Sequence, residues 1–194
     1  MTELELQKAQ LRQKYLALRA SLDKDLKKRL ESDALARLAS TDEYLSASMI
    51  LLYYPIRNEA DILPLARLAL SQGKRIAFPK CDKSTHTLSF FEVSSLDSLV
   101  AGAYGIPEPR EDATALSDTE QALLVVPALL YSRDLYRLGY GAGYYDRFLA
   151  DFKGISCGFS TEAFVVRSLP RGKFDRRLDM IITEKGVYRL DKQT

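Results

Sequence analysis

The sequence has few of the residues that usually bind metal ions or form disulfides. Its 194 residues include two cysteines, Cys81 and Cys157, and one histidine, His86. The cysteines lie in separate apolar segments without the spacing of metal ligands. We therefore interpret both as reduced core residues, which favours a cytoplasmic location. The histidine stands alone in a polar loop, and we assign it no role.

Long apolar runs and a strong net charge are also absent. No uninterrupted apolar stretch reaches the length of a membrane span, and the charged amino terminus lacks the apolar core of a signal peptide. We therefore expect a protein that is neither exported nor held in a membrane. Lys and Arg total 28 against 26 for Asp and Glu, and this excess of +2 is too small for a general nucleic-acid binder.

The chain does contain enough apolar material for a substantial core. The hydrophobic fraction is 46%, and a length of 194 residues suits one large domain or two small ones. We favour a single domain over residues 1–194, and we expect a monomer that acts on small molecules.

The most informative stretch is the glycine segment, residues 137–147, which reads Arg-Leu-Gly-Tyr-Gly-Ala-Gly-Tyr-Tyr-Asp-Arg. Glycine at every second position lets the backbone take positive φ and approach a ligand, so that successive N–H groups line an anion site. The residues after Gly143 resemble the first turns of a helix, whose N-terminal N–H groups also attract phosphate.

The carboxylate of Asp146 in this segment would repel a phosphate unless a cation lay between them. Mg²⁺ is suited to that place, because it prefers a few carboxylates together with phosphate oxygens. The segment therefore indicates a nucleotide with its metal. On spacing alone, a tight loop without a ligand is an equal alternative, since neither the Gly-Lys-Ser/Thr pair nor the dinucleotide spacing is present.

Apolar periodicity predicts an α/β fold for the rest of the chain. Helical spacing covers residues 4–19, 23–39 and 62–70, and a short capped helix is expected at 95–100. Compact apolar runs predict strands at residues 48–54, 75–79, 88–93, 123–127, 154–159 and 180–183. The order strand, helix, strand implies parallel pairing, with ligands at the carboxyl ends of the strands.

Three cations of the first predicted helix, Lys8, Arg12 and Arg19, lie along one edge of an apolar stripe that includes Leu11 and Leu18. From the residues alone they are either a solvated flank or groups that reach a ligand. Glu59, in the loop after the first predicted strand, has a similar pair of interpretations: a solvated or capping residue, or a ligand-binding one.

The glycine segment, following the apolar run 123–127, resembles the signature of the 5-formyltetrahydrofolate cyclo-ligases, also called methenyltetrahydrofolate synthetases. The run Ile106-Pro107-Glu108-Pro109 is also similar to that family, and the resemblance extends from Lys8 to Thr183. It implies a three-layer α/β/α fold with a mostly parallel central sheet, of the NagB/RpiA/CoA-transferase-like type.

The resemblance also implies an activity: the ATP-dependent conversion of 5-formyltetrahydrofolate to 5,10-methenyltetrahydrofolate, with release of ADP and phosphate. It assigns catalytic roles to Arg137 and Tyr144, magnesium binding to Asp146 and Asp175, and folate binding to Glu59 and, by position, Tyr54. The residues assigned to ATP are Lys8, Arg12, Arg137, Leu138, Gly139, Tyr140, Gly141, Ala142, Gly143, Tyr144 and Tyr145.

Three positions depart from the family pattern. Ile62 replaces a usual Thr, Ser132 a usual Asp, and Ala163 a usual Gln. A non-catalytic nucleotide or RNA binder that has kept the loop therefore stays open. A sugar-phosphate isomerase or acyl-CoA transferase, which would be indifferent to ATP, also stays open, because the expected architecture is shared with such enzymes.

Overall fold

The computed structural model describes residues 2–190, and a seven-stranded sheet forms its centre. The twelve strands, in chain order, are β1 (Met49–Leu51), β2 (Arg75–Asp82), β3 (Thr87–Val93), β4 (Val100–Ala101), β5 (Pro107–Glu108), β6 (Ala122–Val126), β7 (Leu130–Ser132), β8 (Arg137–Leu138), β9 (Ile155–Phe159), β10 (Val165–Val166), β11 (Met180–Ile182) and β12 (Val187–Arg189). The helices are α1 (Glu3–Ser21), α2 (Lys24–Ala39), α3 (Asp42–Ser46), α4 (Leu63–Ser71) and α5 (Tyr144–Asp151).

The central sheet has the order β12-β11-β9-β6-β1-β2-β3. Its five inner strands pair in parallel, and one antiparallel strand closes each edge. Each inner strand contributes buried apolar residues to the core, because both faces of the sheet are covered. The expected mostly parallel α/β architecture is confirmed.

Helices cover the two faces of this sheet. On one face, Leu38 of α2 and Leu65 of α4 pack with Ile50 in a fully buried cluster. On the other, Phe148 of α5 packs against a cluster that contains Leu51 and Leu124. Alternate residues of β1 therefore enter opposite cores, which gives the three layers that the resemblance implied.

Helix α1 lies elsewhere, against a small sheet of order β10-β7-β8. Its residues Leu11 and Tyr15 pack on Leu130 and Leu138 of that sheet. The expected apolar stripe is wrong at Leu18, which is 37% exposed, whereas Arg19 beside it is buried. The stripe is shifted because Arg19 finds carbonyl partners inside the protein.

Several predicted boundaries differ from the observed ones. The strand expected over residues 75–79 continues through Pro79 to Asp82. Beyond Ala77 this strand pairs only with β3, so the N–H that Pro79 lacks is not needed for hydrogen bonds to a second neighbouring strand. The short helix expected at 95–100 is a 3-10 turn, Leu96–Ser98, capped by Ser95 and followed directly by β4. Over residues 2–190, no helix combines the length and apolarity that a membrane crossing requires.

Candidate active site

A cleft of about 1000 Å³ opens at the carboxyl ends of β1 and β6. Its walls come from the loop after β1, the β2–β3 and β4–β5 hairpins, the glycine segment, α1 and residues 174–176. All fifteen residues that the resemblance assigns to the site line it: Lys8, Arg12, Tyr54, Glu59, Arg137, Leu138, Gly139, Tyr140, Gly141, Ala142, Gly143, Tyr144, Tyr145, Asp146 and Asp175.

Two of the three glycines in the glycine segment have the positive φ that its sequence predicts, and Gly139 does not. Gly141 and Gly143 have φ of 108° and 75°, a region that other residues rarely adopt. A Cβ atom on Gly143 would also lie 2.9 Å from a guanidinium nitrogen of Arg147. Gly143 precedes the first turn of α5 without a side-chain cap, so the N-terminal N–H groups of α5 are open to an anion.

Cations from distant parts of the chain converge on this segment. Arg12 Nε donates to the carbonyl oxygen of Gly139 at 2.9 Å, and Lys8 Nζ lies 2.6 Å from Asp175 Oδ2. Arg137, whose side chain is 4% exposed, pairs with Asp146 at 3.1 Å. Lys8 and Arg12 therefore face the cleft and do not form a solvated flank.

The two aspartates lie on adjoining segments. Asp146 Oδ1 accepts the N–H of Arg176 at 3.0 Å, and Asp175, the residue before it, accepts the N–H of Gly172 at 2.7 Å. Each carboxylate is thus held by one cation and one backbone N–H. Within residues 2–190, no group of three or more His, Cys, Asp and Glu side chains is placed to hold a metal ion by itself.

Glu59 is a buried carboxyl group, 5% exposed, and not a solvated loop residue. Its Oε2 accepts the N–H of Ile56 at 3.0 Å across a turn in which Arg57 and Asn58 take positive φ. Burial raises the pKa of Glu59 to about 7, although the Ile56 N–H and the nearby Arg19 charge oppose the rise. At neutral pH this carboxyl group is therefore poised between its two charge states.

Arg19 links α1 to the same region from within the protein. It donates to the carbonyl oxygens of Ala128 and Leu129, at 2.7 and 3.2 Å, and to the hydroxyl of Tyr140 at 3.3 Å. The sequence placed Arg19 beside Lys8 and Arg12, but its burial and its partners depend on the small sheet, which the sequence pattern did not predict.

Tyr144 carries a neutral hydroxyl group at physiological pH. Its oxygen lies 3.0 Å from that of Tyr104, and this hydrogen bond, more than burial, raises the pKa of Tyr144 to about 12. The ring of His86 is 5.6 Å from the ring of Tyr144. The hydroxyl pair joins the β4–β5 hairpin to the first turn of α5 across the mouth of the cleft.

The sequence pattern missed parts of the cleft wall. Cys81, expected in the core, is half-buried and lines the cleft, and burial raises the pKa of its thiol to about 11. Tyr104 and Glu108 of the β4–β5 hairpin and Arg147 of α5 line the cleft as well. The run 106–109 was the feature of the sequence that could have indicated that this hairpin belongs to the cleft.

The three departures from the family pattern lie outside the lining of the cleft. Ile62 is fully buried at the start of α4, and Ala163 lies in a 3-10 turn. Ser132 is buried in β7, where its hydroxyl donates to Asp134 at 2.5 Å. None of the three substitutions therefore removes a polar group from the cleft.

Known proteins resemble this chain over most of its length. The sequence profile of the 5-formyltetrahydrofolate cyclo-ligase family matches residues 5–184. The solved 5,10-methenyltetrahydrofolate synthetase of Aquifex aeolicus superposes with a TM-score of 0.85 and 34% identity, covering 96% of this chain and 94% of its own.

Two curated relatives are less similar in sequence. The probable 5-formyltetrahydrofolate cyclo-ligase of Schizosaccharomyces pombe is 29% identical over 64% of this chain and 69% of its own. The 5-formyltetrahydrofolate cyclo-ligase of Escherichia coli is 25% identical over 88% of this chain and 96% of its own. From the profile match and the Aquifex structure together, the chain belongs to the 5-formyltetrahydrofolate cyclo-ligase family.

Proposed function

We propose that the cleft converts 5-formyltetrahydrofolate and ATP to 5,10-methenyltetrahydrofolate, ADP and phosphate. The observation that carries the proposal is that the glycine segment, three cations and two carboxylates line one cleft of about 1000 Å³. A volume of that size accommodates two substrates side by side. All of these groups come from one chain, so the proposed site needs no second copy.

ATP phosphates fit the end of the cleft formed by the glycine segment. The N–H groups of residues 139–145 and the start of α5 would receive the phosphate oxygens, and Lys8, Arg12 and Arg137 would neutralise their charge. Lys8 and Arg137 now neutralise Asp175 and Asp146. We infer that an arriving triphosphate takes over these cations.

The same exchange would leave both aspartates free for a metal. Two carboxylates beside a phosphate cradle fit Mg²⁺, which is bound in nucleotide sites by one or two carboxylates, phosphate oxygens and water. Asp146 and Asp175 would hold the ion. Bound there, it would supply positive charge that stabilises the phosphate oxygens during phosphoryl transfer.

ATP is needed because a formamide oxygen is a poor leaving group. The formyl oxygen attacks the γ-phosphoryl group and displaces ADP, which leaves an iminium-like carbon bearing phosphate. N10 then attacks this carbon and loses its proton, and the C–O bond breaks to release phosphate and the methenyl product. Arg137 would stabilise charge on the transferred phosphoryl group, and Tyr144, protonated at neutral pH, would donate a hydrogen bond.

The folate would occupy the side of the cleft next to the loop after β1. Glu59 offers a buried acceptor there, and Tyr54 lines the same wall. The hydroxyl contact between Tyr104 and Tyr144 narrows the mouth, which would limit attack by water on the phosphorylated intermediate.

One assay separates this proposal from its rivals. Protein is mixed with MgATP and 5-formyltetrahydrofolate, and the near-ultraviolet absorbance of the methenyl product is followed with and without ATP. The proposal expects product in the presence of ATP and none in its absence. Conversion without ATP would favour the isomerase or transferase class, and ATP binding without conversion would favour a non-catalytic nucleotide binder.

A further inference from the structure

Glu108 is a second buried carboxylate in the cleft, and the proposed mechanism gives it no task. It ends β5, is 6% exposed and lines the same cleft as Glu59. Within residues 2–190, the hydrogen bond that its side chain receives is from the Cys81 N–H to Oε1, and at 3.4 Å this bond is long. No Lys, Arg or His nitrogen of these residues lies within 4 Å of its carboxylate oxygens.

The local structure holds this side chain where it is. The β4–β5 hairpin packs the Glu108 side chain against Gly102, and a Cβ atom on Gly102 would clash with Glu108 Oε2 and lie 2.6 Å from Glu108 Cβ. Only glycine at position 102 therefore leaves room for the Glu108 side chain. A buried carboxylate with one long hydrogen bond and no cation is unfavourable unless donors reach it from the cleft.

The wall beside Glu108 is apolar. Pro79 and Leu88, from β2 and β3, line the cleft with Cys81, whose thiol stays neutral because burial raises its pKa to about 11. The arrangement is an apolar surface with one acceptor group at its edge, which fits a flat heterocycle with N–H donors along one side.

We propose that Glu108 binds the pterin ring of the folate by accepting hydrogen bonds from its exocyclic amine and the adjacent ring N–H. These two donors are parallel, and a carboxylate can accept both at once, as it does from a guanidinium group. The inference rests on the proposed function, because it concerns the same substrate.

The two buried carboxyl groups then serve different edges of the pterin ring. Glu59 is close to Ile56, Arg19 and the glycine segment, where the phosphoryl group is transferred. Glu108 is close to Cys81 and Gly102, on the hairpin side. Glu108 is thus a recognition residue for the amine-bearing edge of the pterin ring, whereas Glu59 lies nearer the edge that carries the reacting formyl group on N5.

The test compares wild type, Glu108→Gln and the matched control Glu111→Gln, an exposed glutamate three residues further on. Glutamine keeps the shape and can still accept the Cys81 N–H, but it loses the charge. Michaelis constants for 5-formyltetrahydrofolate and ATP are measured, together with thermal midpoints. Calorimetry with a tetrahydropterin that lacks the formyl and glutamate groups probes the ring alone.

We expect Glu108→Gln to raise the Michaelis constant for folate about 10- to 100-fold and to weaken tetrahydropterin binding by a similar factor. The constant for ATP and the thermal midpoint should stay at the wild-type value, as should every property of Glu111→Gln. A lowered midpoint with unchanged folate and tetrahydropterin binding would overturn the inference and leave Glu108 as a structural support for the hairpin. A wild-type protein that neither binds nor converts folate would instead refute the proposed function.

Discussion

Asp146 is the residue whose position most directly supports the proposed magnesium site. Its carboxylate stands at the first turn of α5, next to the proposed phosphate site, and a triphosphate bound there would repel it unless a cation intervened. Its present partner, Arg137, cannot neutralise the carboxylate and the phosphates at once.

Asp146→Asn should therefore abolish magnesium-dependent turnover without changing the fold, because the amide keeps the shape and still accepts the Arg176 N–H. Turnover is measured across a magnesium titration and the thermal midpoint is recorded beside it. Asp151→Asn, at the exposed end of the same helix, is the matched control and should behave as wild type. If Asp146→Asn keeps wild-type activity throughout the titration, Asp146 is not a metal ligand.

Glu59 should contribute to folate binding but not to ATP binding. A hydrogen bond to a charged group is worth about 1.5–3 kcal/mol, so Glu59→Gln should weaken folate binding by about one to two orders of magnitude. Binding of each substrate alone is measured by calorimetry at pH 8, where wild-type Glu59 is ionised. An equal loss of ATP affinity would place Glu59 in the nucleotide site or in the fold.

The same variant has a pH signature in stability. Burial raises the pKa of Glu59 from its unfolded value near 4.5 to about 7, so the folded state binds the proton more tightly. This tighter proton binding stabilises the folded state fully below pH 4.5. The stabilisation, on the order of a few kcal/mol, is lost as the pH rises through 7. Thermal midpoints are measured at pH 5 and pH 8, and the midpoint of Glu59→Gln relative to that of wild type should be higher at pH 8 than at pH 5. The same difference between variant and wild type at both values would contradict the raised pKa.

At the scale of elements, α1 supports the proposed nucleotide site. This helix lies apart from the central sheet. Its contacts to the glycine segment and to residue 175 come from cations along one edge of the helix. Because the helix packs on the small sheet through Leu11 and Tyr15, those cations are held at fixed positions relative to the cleft.

Replacing both Lys8 and Arg12 with Ala should raise the Michaelis constant for ATP by about tenfold or more, with a much smaller effect on that for folate. The matched control is Lys28→Ala with Arg29→Ala, two exposed cations of α2 that lie away from the cleft. Equal effects on both substrates would show that α1 supports the cleft as a whole rather than the phosphates.

The elements also show what a sequence pattern can predict. Buried parallel strands were recognisable because they are short apolar runs bounded by turns, and the start of α5 was recognisable because Gly143 ends a loop. The small sheet and the β4–β5 hairpin were not, since their strands of two or three residues carry no periodicity and depend on distant partners. Cys81 was assigned to the core because it lies in an apolar strand segment, and the strand pattern does not show that this end of β2 lines the cleft.

At the scale of the whole molecule, the parallel sheet explains why the site could be predicted from scattered residues. The carboxyl ends of β1 and β6 meet at one edge, so the loop bearing Glu59 and the chain leading to the glycine segment are brought together by topology alone. The partners of the carboxylates could not be predicted in this way, because they come from α1 and residues 172–176, which reach the cleft by tertiary packing.

The whole fold also decides what the departures at positions 132 and 163 mean. Both residues lie outside the cleft, so restoring the usual family residues should not raise turnover. Ser132→Asp should instead lower the thermal midpoint, because it buries a carboxylate beside Asp134, which the Ser132 hydroxyl now contacts as a donor. Ala163→Gln, in an exposed turn, is the matched control and should leave both the midpoint and kcat/KM unchanged. A rise in kcat for Ser132→Asp would show that an acidic group at this position takes part in catalysis and that the cleft alone does not contain the complete site.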